Sequence, residues 1–338
     1  MTYGGATMSP SVTEQDAFIP LAEGHRGELT VHCYRMLGSI QDAEDAVQET
    51  LLRAWRRREL FEGRSTVRAW LYRIATNCCL DALEHRSRRV LPTAVAPPAD
   101  PLAERFPPAD IPWLEPFPDR LLDGIVDEEA GPPERIVAQE TIELVFLAAI
   151  QHLPPRQRAV LILRDVLGWS AREAAEAVAM STAAANSALQ RARTTLRQQL
   201  PERRTEWPRN AAAQAAERRL LDRYMGAWHR IDVDGIVALL KEEARLVMPP
   251  LPAWFEGRDA IGTFLSRLPL GPGVPRHIHV PTRANRQPAF AVFLEGDGGA
   301  PPRPLAVEVL GIEDGLIAEI DIFLEPRLVA AFAVSPPQ

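Results

Sequence analysis

Two groups of side chains in this 338-residue chain have the types and spacing for chemistry. The first lies between Ser181 and Leu200. Ala185, Leu189, Ala192 and Leu196 recur there at helical spacing and form an apolar stripe. Asn186, Ser187, Gln190, Arg191, Thr194 and Arg197 fall on the remaining faces. Amide and guanidinium groups beside small residues suit the reading of base edges in a major groove, because both can make paired hydrogen bonds to purines. The competing reading is a helix whose polar face is only solvated. Local charge favours the first. Residues 141–213 hold ten Arg against six Asp or Glu in a chain of net charge -7, and a positive module inside an acidic protein suits contact with phosphates.

The second group is His277, His279, Asp321, Trp228 and Trp254. His277 and His279 alternate on a predicted strand, so both can point to one face. With Asp321 they are candidates for an acid/base pair, and the two tryptophans for the walls of a pocket. Simple burial explains the same residues without any chemistry. No catalytic residue is assigned on this pattern.

The elements that must position the first group are legible from their caps. Pro154 and Pro155 suit the first turn of a helix, where a missing N–H costs little. Gly168 ends the run from Ala159 to Leu167 as a left-handed cap. Ser170 and Glu173 have the S-x-x-E spacing of a capping box that opens a short second helix. Met180 falls in a turn and Ser181 caps a third helix running to about Leu200. Three helices with two tight turns predict a helix-turn-helix.

Upstream, residues from about Asp16 to Arg89 read as helical throughout. In QDAEDAVQETLLRAW, Val47, Leu51, Ala54 and Trp55 should face a core, while Asp45, Gln48, Glu49 and Leu52 gather on a second face. In STVRAWLYRIATNCCLDALEHRSRR, Trp70, Ile74, Cys78 and the Leu80–Ala82 turn can pack inward. Arg68, Arg73, Asn77, Arg86, Arg88 and Arg89 are left as a basic flank. Solvation alone is the default for either polar face.

Between these blocks the composition changes. Residues 93–140 carry three basic and eleven acidic residues, and the stretch 91–135 is too rich in Pro and acid to predict a packed domain. IPWLEPFPDRLL is the exception: Trp113, Leu114, Phe117 and Leu121 are too apolar for a spacer and predict docking on a protein surface. Beyond Pro208 a long helix leads to a short strand around ARLVMPP and a second amphipathic helix. Strands RHIHVPTRAN, PAFAVFLE, PLAVEVLGIED and GLIAEIDIFLE follow. Alternation in Leu305–Leu310 and Ile317–Phe323 predicts a sheet with one wet face, and Glu313–Gly315 predicts a hairpin turn.

No apolar run approaches the roughly 18 residues of a membrane span, and Met1–Pro20 lacks a signal-peptide core. Cys33, Cys78 and Cys79 form no C-x-x-C pair and have no His at metal spacing. A soluble, cytoplasmic protein without metal, cofactor or membrane contact is expected.

DAEDAVQETLLRAW, then VRAWLYRIATNCCLDALEHRSRR, then LPPRQRAVLILRDVLGWSAREAAEAVAMSTAAANSALQRAR, in that order, resemble the extracytoplasmic-function (ECF) branch of bacterial sigma-70 factors. The resemblance covers slightly under half of the chain. It implies core RNA polymerase (its clamp helices and flap) and promoter DNA as partners, and no covalent chemistry by these domains. Asp45, Gln48, Glu49, Leu52 and Trp55 match the region 2 surface that docks on the clamp helices. The segment Gly63–Asn77, with Arg64, Thr66, Arg68, Arg73 and Asn77, matches the part that opens and reads the -10 element, where Arg contacts would hold single-stranded bases. Trp70 is expected in the core. The segment Ser181–Arg193, with Ser181, Thr182, Ala185, Asn186, Ser187, Gln190, Arg191 and Arg193, matches the helix that enters the -35 major groove. Two departures stand out. Many members carry Lys or Arg where this chain has Asn186 and Ala188, which implies less ionic -35 contacts, and the linker is unusually long. In the family that linker is expected to thread the nucleic-acid channels of polymerase, where an acidic chain can mimic nucleic acid.

The phrase AWHRIDVDGIVALL followed by FEGRDAI resembles the SnoaL-like members of the NTF2-like superfamily, over roughly residues 213–330. It implies an α+β cone, and some ECF sigma factors carry such an extension. The expected fold is therefore multidomain: two all-α sigma domains, a region 2 helical bundle over 14–90 and a region 4 helix-turn-helix over 136–205, joined by an acidic Pro-rich linker over 91–135, with a SnoaL-like cone over 212–332. The cone is expected to regulate the sigma domains in cis, so truncation after about Arg209 should change promoter-dependent transcription, and its pocket is a candidate for a small-molecule ligand. The alternative is a SnoaL-like enzyme or ligand sensor fused to a helix-turn-helix regulator.

Overall fold

The computed structural model describes residues 12–61, 66–84, 87–123, 142–200 and 211–336. The chain divides into two compact units, one made of residues 1–86 and 155–190, the other of 87–154 and 191–338.

The first unit is helical. Helices α1 (Val12–Glu23), α2 (Arg26–Leu37), α3 (Ile40–Arg56) and α4 (Val67–Glu84) come first in the chain. Local chemistry sets their ends. Gly38, at φ 72°, closes α2 by donating its N–H to the Tyr34 carbonyl, and the Ser39 hydroxyl caps α3 by accepting from the Asp42 N–H at 3.3 Å. Leu29, Cys33, Tyr34, Val47, Ala54, Leu71, Ala75 and Cys79 form the buried interior. Trp70, Ile74 and Cys78 are buried as their spacing predicts, while Leu51 and Trp55 are half-buried. His32 lies fully inside this core. Its Nε2 pairs with Thr76 Oγ1 at 2.9 Å and its ring stands edge-on to Tyr72 at 5.1 Å. Burial, helped by the Arg35 cation, holds its pKa down at about 3, so the ring is neutral at physiological pH.

Helix α5 (Leu144–Gln151) belongs to the second unit; α6 (Pro155–Leu161), α7 (Ala171–Ala177) and the start of α8 (Thr182–Gln199) belong to the first. Helix α6 runs into one π turn, Ile162–Val166, before the left-handed Gly168 at φ 68°. Both halves of the Ser170–Glu173 capping box form. Ala179, at φ 53°, turns the chain toward α8, and Ser181 Oγ accepts from the Ala184 N–H at 3.2 Å. The Arg158 guanidinium is buried and donates to the Met36 carbonyl, fastening α6 to α2.

The second unit is built on a six-stranded sheet of order β2-β1-β6-β5-β4-β3. Its elements are α9 (Ala211–Arg230), α10 (Val233–Val237), β1 (Leu240–Val247), β2 (Trp254–Glu256), α11 (Arg258–Arg267), β3 (His277–Ala284), β4 (Gln287–Leu294), β5 (Arg303–Glu313), β6 (Leu316–Phe323) and α12 (Pro326–Ala331). Only β1 and β6 run parallel. Tyr224, Ile236, Leu239, Phe255, Phe264, Phe290, Leu310 and Ile320 share one core under the sheet. The predicted β5–β6 turn forms, with Asp314 and Gly315 both left-handed. The β3–β4 turn also places two residues, Asn285 at φ 55° and Arg286 at φ 61°, in the left-handed region that a two-residue hairpin requires.

The sheet departs from the single wet face that alternation predicts. Every residue of β4 from Gln287 to Phe293, and of β5 from Ala306 to Gly311, is buried. Helix α12 packs on β5, and the linker packs on its own C-terminal domain although its Pro and acid content predicts a tether. Ala99 N–H donates to the Trp254 carbonyl at 2.7 Å and Trp254 Nε1 to the Ala96 carbonyl at 2.8 Å. Trp113, Leu114 and Phe117 are buried, as the apolar segment predicts, and Leu121 is half-buried. The surface they dock on is internal to the chain. Asn285 fixes the register: its Oδ1 accepts from the Phe117 N–H and its Nδ2 donates to the Ile142 carbonyl, both at 2.7 Å. The acids of the segment are met locally: Glu115 pairs with Arg327 at 2.7 Å, and Asp119 pairs with Arg283 at 3.4 Å while accepting from the Arg286 backbone N–H at 2.8 Å.

Candidate nucleic-acid interface

Helix α8 begins at a capped turn and presents one row of short polar groups. Thr182, Asn186, Ser187, Gln190 and Arg191 are exposed along it, as is the capping Ser181. Arg193 is half-buried. Ala185 is only 1% exposed, as is Ala188. Both belong to the apolar stripe with Leu189 and Ala192, so Ala185 has no path to a base edge, and Ala188 is not a position where a basic side chain would reach DNA. A 3.6-residue repeat puts positions three and seven apart on one face, which is why Ala185 follows the stripe and Asn186 does not.

On α3, Asp45, Gln48 and Leu52 are exposed. Leu52 is 44% exposed, a large apolar side chain beside a carboxylate and an amide. Glu49 is half-buried and accepts from Arg53 Nε at 2.6 Å. Trp55 is half-buried, with the Arg58 guanidinium 4.0 Å from its ring centre.

The residues expected along the -10 segment divide. Arg64 lies outside the described residues. Thr66 Oγ1 accepts from the Ala69 N–H at 3.1 Å and so caps α4. Arg68 is held by Glu28, with Nη2 2.7 Å from Oε2, and its guanidinium sits 5.0 Å from the centre of the Tyr72 ring. Tyr72 donates to the same Glu28 carboxylate at 3.0 Å. Arg73 is exposed, and Asn77 donates to the Arg73 carbonyl one turn back. Trp70 is buried against Phe61 and Phe18, with ring centres 5.2 and 6.1 Å away. It is a core residue and not a free stacking surface.

In the C-terminal domain three of the five candidate pocket residues converge. The His277 and His279 rings lie 5.6 and 4.6 Å from the Trp228 ring. Asp321 does not join them. It pairs with Val309 across the sheet, and Val309 stands one position out of step with Ala306, Glu308 and Leu310, so Asp321 points to the opposite face. Trp254 is spent on the linker through its bond to Ala96. Two residues that pattern reading missed complete the cluster: Glu308, 1% exposed, with Oε2 3.6 Å from His279 Nε2, and Tyr224, fully buried beside Trp228. A carboxylate inside an otherwise apolar strand was the available signal for Glu308. Burial lowers the His277 pKa to about 4 and raises that of Tyr224, so both are neutral at pH 7.

Comparison with known proteins follows the same division of the chain. Residues 21–89 match the Sigma-70 region 2 family, residues 143–196 the Sigma-70 region 4 family, and residues 221–320 the SnoaL-like domain family. Over 328 residues the chain is 42% identical to the ECF RNA polymerase sigma factor SigG of Mycobacterium tuberculosis, covering 96% of this chain and 86% of that protein. It is 27% identical to the ECF sigma factor SigW of Bacillus subtilis over 55% of this chain and 90% of that one. The crystal structure of the M. tuberculosis extracytoplasmic function sigma factor SigJ superposes with a TM-score of 0.56 over 93% of this chain and 98% of that one, at 20% identity, which shows a shared fold. No helix among the described residues is long and apolar enough to cross a membrane.

Proposed function

The chain belongs to the extracytoplasmic-function family of RNA polymerase sigma factors, and from that premise we propose how its residues divide the work of initiation. Core RNA polymerase and promoter DNA are the partners of the family, whose sigma domains recognise promoters and leave catalysis to polymerase. The observation that carries the assignment of roles is the exposed row on α8. Thr182, Asn186 and Gln190 follow one another at helical spacing behind a capped turn, and amides there are placed to pair with the edges of A or G. Arg191 joins Gln190 as a reader of base edges, while Ser181, Ser187 and Arg193 flank the row and contact phosphates. Replacing Asn186 or Gln190 with Ala should cost about tenfold on -35 sequences that use the amide and little on others. Arg191→Ala should likewise hurt particular -35 sequences more than others, whereas Arg193→Ala should weaken all promoters alike and flatten the salt dependence. Footprinting across a panel of -35 variants separates the two; equal loss on every sequence from the amide substitutions would make them positioning groups.

The Asp45, Gln48 and Leu52 face of α3 docks on the clamp helices of polymerase, with Glu49 holding Arg53 behind it. An exposed Leu ringed by acid and amide suits a basic helical partner, where a buried apolar anchor carries most of the affinity. The double substitution Asp45→Lys, Leu52→Ala should weaken binding to core polymerase by about a hundredfold, read by gel-shift titration or anisotropy. On the -10 side Thr66 and Arg73 are exposed, and Glu28 presents Arg68 in a fixed pose.

The C-terminal domain regulates in cis by holding the linker. The docking of Trp113–Asp119 on β3, β4 and α12 supports this reading, because a linker tied at Asn285 and Arg327 is not free to enter the channels of polymerase. Reconstituted transcription should therefore rise or change start sites when the tie is cut by Asn285→Ala. Equal activity and identical start sites in the full-length and substituted proteins would remove this role.

A further inference from the structure

The surplus of arginine on α8 continues past its end. Residues 191–230 hold ten Arg against four Asp or Glu, in a chain of net charge -7. Four of these arginines lie on α9, and Arg218, Arg219, Arg223 and Arg230 are all exposed. With about 100° of turn per residue, Arg219, Arg223 and Arg230 fall within about 40° of one another and make a row about 17 Å long. The opposite side of the same helix buries Leu220, Tyr224, Ala227 and Trp228. The row therefore lies on the face turned away from the core.

The protein does little to offset this charge. Arg218, Arg219 and Arg223 pair with no acid among the described residues. Glu217, next to them in sequence, turns instead to Arg283 at 3.2 Å. Arg230 has one long contact, 3.5 Å to Asp232. Like charges four residues apart on a helix repel, yet Arg219 and Arg223 stand at that spacing. Gly226 gathers the row further. A Cβ there would come within 3.1 Å of Arg230 Nη1, so the missing side chain lets that guanidinium lie back along the helix toward Arg223. A face that is merely solvated gives no reason for this concentration in a domain whose residues 214–338 carry thirteen basic against sixteen acidic groups. Unpaired guanidinium groups in a row suit the phosphates of a nucleic-acid backbone.

Chain connectivity says which phosphates are in reach. The residues between Gln199 and Ala211 span at most about 40 Å when extended, so α9 begins within about one turn of duplex from the end of α8. Duplex on the -10 side is shared with region 2 and polymerase, which leaves the backbone upstream of the -35 site open. We propose that α9 is a second DNA-contacting element, whose Arg219, Arg223 and Arg230 hold phosphates just upstream of the -35 site without reading sequence. The location of this contact rests on α8 being the -35 reader; the affinity of the row for duplex phosphates does not.

The test titrates holoenzyme carrying the full-length protein on two promoter fragments over a series of KCl concentrations, read by anisotropy. One fragment ends at the -35 element and the other carries about twenty further base pairs of upstream duplex. The longer should bind about tenfold more tightly at low salt, whatever its upstream sequence. The pair Arg219→Ala, Arg223→Ala changes exposed positions to a good helix former. It should abolish that advantage, reduce the salt slope on the long fragment by about two and leave the short fragment unaffected. Lys at both positions should restore most of the advantage, because the charge is kept. Equal binding of the two fragments by the parent protein, or an advantage that survives the Ala pair, would overturn the proposal. So would an equal loss on both fragments; if binding to core polymerase without DNA weakened as well, the row would belong to a protein partner. Uniform loss on every -35 sequence from Asn186→Ala and Gln190→Ala, with the upstream advantage intact, would remove the reading role of those α8 amides and leave the phosphate contact standing.

Discussion

Replacing Asn285 with alanine is expected to release residues 113–119 from the C-terminal domain and to cost that unit about 4 kcal/mol of stability. Three effects add. The Phe117 N–H and the Ile142 carbonyl lose their partners, and each buried group left unpaired costs about 1–3 kcal/mol. Alanine must also adopt φ near 55°, where Asn is several-fold favoured over other side chains and Ala is strained by about 1 kcal/mol. The hydrogen bond from the Asn285 N–H to the Phe117 carbonyl, 2.9 Å, survives in principle but loses its frame. Asn285→Gly keeps the turn while removing the side chain, so it isolates the two lost hydrogen bonds from the strain. Urea denaturation gives the energies, and limited proteolysis between Leu91 and Asp123 reports the release. Resistance equal to that of the parent protein would show that apolar contact by Trp113, Leu114 and Phe117 holds the linker without Asn285.

The second large effect concerns pH. His32 has a pKa near 3 in the folded protein against 6.5 for the free side chain. The unfolded chain therefore takes up a proton at a pH where the folded one does not. Its contribution is fully present above pH 6.5 and is lost as pH falls from 6.5 toward 3. At pH 4.5 the loss should be about 2–3 kcal/mol, rising to about 4–5 kcal/mol near pH 3. The cause is the site itself: a ring closed in by Tyr72 and Thr76, with the Arg35 cation nearby. His32→Gln keeps a group able to meet Thr76 and removes the titration. Urea curves followed by circular dichroism at pH 7 and pH 4.5 should show a steeper loss in the parent protein than in the variant. Parallel losses would mean that another group carries the acid sensitivity of the helical unit.

Acid sensitivity and linker docking arise from different kinds of information in the chain. The caps of the helix-turn-helix were legible because their chemistry is local. Ser170 meets Glu173 three residues on, and Gly168 tolerates the left-handed turn wherever it occurs. The core positions of α3 and α4 follow from the same short-range periodicity. Ala185 shows where that reading fails. Its type and place fit both the reading face and the packing stripe, and only its burial decides between them.

The C-terminal site was legible in part. Alternation on β3 put His277 and His279 on one face, and Trp228 joins them. Glu308 escaped because a charged residue in an alternating strand reads as solvent-facing. The sheet has no such face at β5, where α12 packs on one side and the helical core on the other. Asp321 erred in the opposite sense: an acid near the end of a strand looked available, yet its parity sends it away from the histidines.

By itself the sequence determined the classes of element, their caps, the order of the three family segments and the row of amides on α8. These depend on interactions within a few residues, or on motifs long enough to be matched. The tertiary structure alone decided where the acidic linker goes and which polar groups meet in the cone. Asn285 and Phe117 are 168 residues apart, and no periodicity links them; they meet because the β3–β4 turn carries the Asn285 amide to a backbone that needs a partner.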